Sequence, residues 1–130
     1  MMDAYLSQEA YQTLTALSLI SLQSNSDGLL IGHKRGHRYF VEKIFPTLKG
    51  FFPSREKYFA MNELFEEKIL GFYSFAGDEK KNKKILTPFA HGKLFLQIRL
   101  NKNKKMTIKS YVIDYENEFF LSPIQLKTHK

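Results

Sequence analysis

The side chains in this chain that could do chemistry are few and widely spaced. His33 and His37 flank the turn Lys34-Arg35-Gly36, where two imidazoles could face each other as a two-ligand metal site. No third ligand is obvious beside them, and a hydrolytic metal site needs about three. His91 follows a loop that begins with Asp78 and Glu79. A rearranged metal-dependent hydrolase built from these groups is one reading the residue types permit. Ser74 ends an apolar run and could be a nucleophile only with a base in hydrogen-bond reach. No histidine lies near it in sequence, and a small polar residue at a strand end is the plainer reading. His129 lies in the tail.

The other concentration of chemistry is charge. The chain carries a formal +7 at pH 7, much of it in Lys80, Lys81, Lys83 and Lys84 and in Lys102, Lys104 and Lys105. Such clusters are possible anion or nucleic-acid contacts, since bound phosphates release counterions to them. Both runs also read as loop or hairpin-turn residues, which a solvated surface explains as well.

These groups need a scaffold, and composition bounds it. With 130 residues, 43% of them hydrophobic and including 12 Phe and 7 Tyr, the chain can fill the core of one domain, 1–130, with a frayed tail at 127–130. No cysteine is present, which excludes disulfides and thiol catalysis and fits a cytoplasmic protein. No apolar run is long enough to span a bilayer. Leu14–Leu22 is the length of a signal-peptide core, but Asp3 and Glu9 precede it without a Lys or Arg, so an amphipathic helix is expected there.

That helix spans about 7–23, with Ser7 as N-cap and Ala10, Leu14, Leu17 and Ile20 on one face. Gly28–His33 and Arg38–Phe45 form a hairpin closed by Lys34-Arg35-Gly36 and ended by Pro46. A second helix starts after Ser54, with Tyr58, Met61 and Phe65 on one face. Ile69–Phe75 reads as a strand buried on both sides. Leu94–Leu100 alternates as a half-buried strand, and the strands Met106–Tyr115 and Phe119–Leu126 follow, joined by Glu116-Asn117-Glu118. The expected fold class is α+β: a curved, mostly antiparallel sheet of about six strands flanked by two main helices.

Three segments in this order carry a resemblance. Gly28-Leu29-Leu30-Ile31-Gly32, Val41–Pro46 and Gly71-Phe72-Tyr73 resemble the G-L-L-x-G strand, the proline-ended strand and the G-W/F-Y of the JAB/MPN family. The similarity covers roughly residues 7–126 and implies an MPN/cytidine-deaminase-like fold. The best-known members are zinc isopeptidases with a JAMM motif: a glutamate before the first glycine, H-x-H after G-W-Y, and a later S-x-x-D. Two imidazoles and a carboxylate hold zinc, and the metal activates a water whose proton the glutamate shuttles.

On this sequence those positions fall on Asn25, on Ser74 and Ala76, and, through Thr87-Pro88-Phe89-Ala90, on Ala90. None can do the work of the residue it replaces. The resemblance therefore implies the non-catalytic branch: no enzyme, no cofactor, no metal, and a protein–protein interaction or assembly module. Its implied partner is a second copy or another MPN-like domain, with no membrane. Phe72, Phe75 and Phe89 are expected to fill the space where the family has its groove. The alternative is a basic nucleic-acid-associated domain using the two lysine runs.

Overall fold

The computed structural model describes residues 2–20, 27–46, 55–66, 68–75, 85–100 and 105–128. Eight strands form one sheet: β1 (Asp3–Leu6), β2 (Asp27–Arg35), β3 (Arg38–Pro46), β4 (Ile69–Phe75), β5 (Leu94–Leu100), β6 (Met106–Glu116), β7 (Glu118–Pro123) and β8 (Gln125–Thr128). Two helices accompany them, α1 (Gln8–Ile20) and α2 (Arg55–Leu64), with a 3-10 turn at Pro88–Ala90.

This corrects the expected fold class. The sheet has eight strands rather than about six, in the order β7-β6-β5-β4-β2-β3-β1-β8, curled into a mixed half-barrel. It is mixed because β1 runs parallel to both β3 and β8, and β4 runs parallel to β5. The curl follows from one stretch of chain. β7 and β8 stand at opposite ends of the strand order, yet only Ile124 separates them in sequence. Glu118–Pro123 pairs with β6, and Gln125–Thr128 then pairs with β1, so the same stretch serves both edges. Ile124 turns the corner: its N–H donates to the Ser110 carbonyl at 3.1 Å, and the Ser110 hydroxyl donates to the Ile124 carbonyl at 2.7 Å. Pro123, which has no N–H to offer a ladder, stands just before the corner.

β1 is held in place by charge as well as pairing. Asp3 lies opposite Arg38 and receives two hydrogen bonds from its guanidinium, Nε to Oδ1 at 2.9 Å and Nη2 to Oδ2 at 3.0 Å. Lys127 on β8 adds its ammonium at 3.4 Å. The Arg38 hydrogen bonds outweigh burial and, with Lys127, hold the Asp3 carboxyl below the usual carboxylate range.

α1 begins as its sequence predicts. The Ala10 N–H donates to the Ser7 hydroxyl at 3.0 Å, which satisfies one of the helix's orphan donors. The same hydroxyl donates to the Glu42 carbonyl at 2.9 Å and so pins the helix start to β3. Ala10 and Leu14 are buried against Ala4, Leu6 and Val41, and Leu17 packs at the margin.

The central strands of the sheet are buried on both faces. On the α1 side lie Leu30, Leu70, Tyr73, Phe75, Leu94, Leu96, Ile98 and Val112; on the α2 side lie Leu29, Tyr58, Ile69, Phe72, Ile85, Ala90, Phe95 and Ile113. Ile69–Phe75 is buried throughout, as its unbroken apolar run predicts. Leu94–Leu100 is not the half-buried strand its alternation suggests. It is buried on both faces through Ile98, because Phe95 is covered by the second layer.

The hairpin has the predicted turn, with Gly36 at φ +56°, and Asn117 reverses the chain between β6 and β7 at φ +67°. Among the described residues no helix is long and apolar enough to cross a membrane.

Candidate functional site

Ser74 occupies the first position where the family resemblance calls for a metal ligand. It lies near the end of β4 on the α2 face of the sheet and is 5% exposed. Its Oγ is buried and finds no hydrogen-bond partner among the described residues. Asp27 of β2 stands directly opposite on one side and Gln97 of β5 on the other. Lys109 of β6 stands opposite Gln97. Four neighbouring strands therefore contribute one polar residue each to a single cross-strand row, Asp27–Ser74–Gln97–Lys109. Asp27 is 7% exposed and Gln97 6%, which is low for groups whose burial costs free energy.

The strands explain how the row forms. A β-strand turns successive side chains to opposite faces, so Asp27 shares a face with Leu29, and Gln97 with Phe95. β4 carries an irregularity in its pairing with β2, between Leu30 and Ile31, and two glycines fit the backbone closely around it. A Cβ on Gly71 would sit 1.9 Å from the Leu94 carbonyl oxygen, and one on Gly32 would sit 1.9 Å from that of Phe40. Tyr73, the next residue before Ser74, points to the α1 face and lies over Gly28, where a Cβ would collide with its ring. Burial, reinforced by the Asp27 carboxylate, pushes the Tyr73 hydroxyl well above its usual range, so it stays neutral.

The family positions are not gathered at Ser74 among the described residues. Asn25 and Ala76 lie outside the described residues, as do Lys80, Lys81, Lys83, Lys84, Lys102 and Lys104. Lys105 is described and exposed at the start of β6. Ala90 is fully buried in the α2-side core, on the 3-10 turn that leads into the beginning of β5. Leu94 pairs with Gly71 whereas Gln97 pairs with Ser74, which puts the start of β5 about 10 Å along the sheet from Ser74. Ala90 and Ser74 thus sit toward opposite ends of the β4–β5 pair.

His33 lies across from Phe40, stacks on its ring at 5.0 Å, and places Nδ1 2.5 Å from Glu42 Oε1. His37 is in the turn. His91 is directed to β6 and β7 instead of Ser74, with Nε2 3.7 Å from Asp114 Oδ1 and its ring edge-on to Phe119. Asp78 and Glu79 lie outside the described residues. Among the described residues no three His, Asp or Glu side chains gather as metal ligands.

The three phenylalanines expected to converge are divided by the sheet. Phe72 and Phe89 meet on Tyr58 of α2, at ring separations of 6.0 and 4.8 Å. Phe75 lies on the other face, edge-on to Tyr73. Lys93 closes this region from below, donating to the Ile69 carbonyl at 2.7 Å with its ammonium 5.8 Å from the Tyr58 ring centre. Asp27 and Gln97 escape a reading of the sequence for different reasons. Asp27 reads as the last residue of a turn, and Gln97 as the solvent side of an alternating strand. The one usable signal was a lone amide inside Leu94-Phe95-Leu96-Gln97-Ile98.

No protein-family model matches this sequence, and no curated protein matches it. Among solved structures the chain is similar to the solution structure of protein DSY2949 from Desulfitobacterium hafniense, a Northeast Structural Genomics Consortium target. The TM-score is 0.67 at 18% identity, over 97% of this chain and 94% of that one. At that identity, what the likeness shows is a shared fold.

Proposed function

We propose that the protein is a non-catalytic, cytoplasmic protein-binding module, resembling the branch of the JAB/MPN family that lacks the zinc ligands, and that it pairs through α2 with a second copy or another MPN-like domain. The donor chemistry supports the first half. Ser74 offers only a hydroxyl and Ala90 only a methyl, neither a substitute for imidazole or carboxylate.

The observation that carries the second half is the outer side of α2. Leu64, the last residue of α2, is 82% exposed. Leu64 stands at the rim of a concavity of about 390 Å³ lined by Ile31, Ile44, Phe45 and Phe65, with Lys43, Glu66 and Lys68 also around it. A projecting apolar side chain beside an apolar hollow is what a two-fold interface needs, since each copy then supplies both the knob and the hole. Aliphatic and aromatic side chains of this kind form the buried centre of such contacts.

Sedimentation across a micromolar concentration range tests the pairing. The wild-type chain is expected to dimerise, and Leu64→Asp to shift it to monomer by roughly tenfold or more in dissociation constant, with an unchanged far-UV circular dichroism spectrum. A wild-type protein that stays monomeric at the highest concentrations contradicts pairing with a second copy, and a Leu64→Asp variant that dimerises equally well contradicts pairing through α2.

A further inference from the structure

The polar row does not end at Gln97. On the α2 face, β5 carries Gln97 and then Arg99, and β6 carries Lys109 and Thr107 directly opposite them. These four residues and Leu100 line a concavity of about 250 Å³. Gln97 forms its buried part, whereas Arg99, Thr107 and Lys109 are exposed. Among the described residues the lining holds two fixed cations, an amide and a hydroxyl, and no carboxylate.

From this arrangement we propose that the β5–β6 concavity is a binding site for a small phosphate-bearing ligand, held by Arg99, Lys109, Thr107 and the buried amide of Gln97.

Each group has a part suited to its chemistry. Arg99 presents a planar fork that matches two phosphate oxygens, and Lys109 supplies a compact charge. Thr107 and Gln97 can donate to the remaining oxygens, which charge alone does not orient. Gln97 distinguishes this place from a patch of surface lysines, because it is only 6% exposed and sets a polar side chain at the inner end of the concavity. The row behind it points the same way. Ser74, the residue opposite Gln97 on β4, keeps a buried hydroxyl with no partner among the described residues.

The size of the concavity limits the ligand. It lies just under the range of about 300–1,000 Å³ that holds drug-sized molecules, so a compact phosphate ester fits better than a polymer. This site is separate from the α2 surface and does not depend on how the chain pairs.

An amide-resolved NMR titration with inorganic phosphate and pyrophosphate, at matched ionic strength against chloride, tests the assignment. Saturable shifts confined to β5 and β6 are expected. Arg99→Gln with Lys109→Gln should weaken binding by roughly tenfold or more, because charge-assisted contacts are lost. Lys34→Gln with Arg35→Gln removes the same net charge from the distant hairpin turn and should change nothing. Thr107→Glu, which puts a carboxylate at an exposed position in the site, should abolish binding without touching the core.

Shifts that never saturate overturn the proposal, as does an equal loss in the hairpin variant or full binding by Thr107→Glu. A single-stranded oligonucleotide that binds far more tightly than pyrophosphate, with steep salt dependence, also overturns it in favour of a polymer surface.

Discussion

Gly71→Ala is expected to destabilise the protein by more than about 3 kcal/mol and to leave little folded material at 37 °C, a larger cost than most overpacking substitutions. The added methyl would lie 1.9 Å from the carbonyl oxygen of Leu94 and under 3 Å from two more of that residue's backbone atoms. Nothing flexible can give way there. Gly71 and Leu94 are register partners in the parallel β4–β5 pair, with buried layers on both sides. Relief requires the two central strands to part, and with them the row that holds Ser74 and Gln97. Gly36→Ala is the useful comparison. Its Cβ meets nothing within 4 Å, and its cost comes only from a φ of +56°, on the order of 1–2 kcal/mol. Equilibrium urea unfolding of both variants checks the ranking, and a Gly71→Ala variant as stable as Gly36→Ala would refute the close approach of the strands.

Phe72→Ala should cost about 3–5 kcal/mol, whereas Phe89→Ala should cost distinctly less. Phe72 is 1% exposed beneath α2 and packs among Leu29, Tyr58, Ile69 and Phe95. Removing its ring leaves a cavity between sheet and helix that neither rigid layer can close. Phe89 stacks on the same Tyr58 but lies at the margin of that core, where water can take its place. Thermal unfolding separates the two. Equal effects would mean that Phe89 and Phe72 share one closed core, and no effect at Phe72 would mean that α2 does not seal this face.

The parts of the fold that can be read from the sequence are those set by neighbours along the chain. Ser7 as cap, the hairpin turn at Gly36, the reversal at Asn117 and the fully buried Ile69–Phe75 all rest on local backbone chemistry or on one uninterrupted apolar run. What cannot be read depends on partners far away. β1 is four residues long and pairs in parallel with residues 35 positions later, so no local pattern marks it. The corner at Ile124 looks like the middle of one strand, because the change of partner from β6 to β1 alters no periodicity. Those two features raise the count to eight strands and curl the sheet.

The candidate site shows the same division. Ser74 stands out by its position at the end of an apolar run. Its neighbours Asp27 and Gln97 become visible only through register, and register also separates Ala90 from it. Leu94–Leu100 alternates in sequence as if one side met water, yet the layer around Tyr58 and Phe95 covers that side and turns Gln97 into a buried amide.

Zinc content after saturation bears most directly on the claim that this chain binds without catalysing. The purified protein is to be equilibrated with excess zinc, passed through gel filtration and analysed for bound metal. The expected result is far less than one zinc per chain, with no peptidase or isopeptidase turnover. One tightly held zinc per chain, lost together with a metal-dependent hydrolytic activity on chelation, would contradict it.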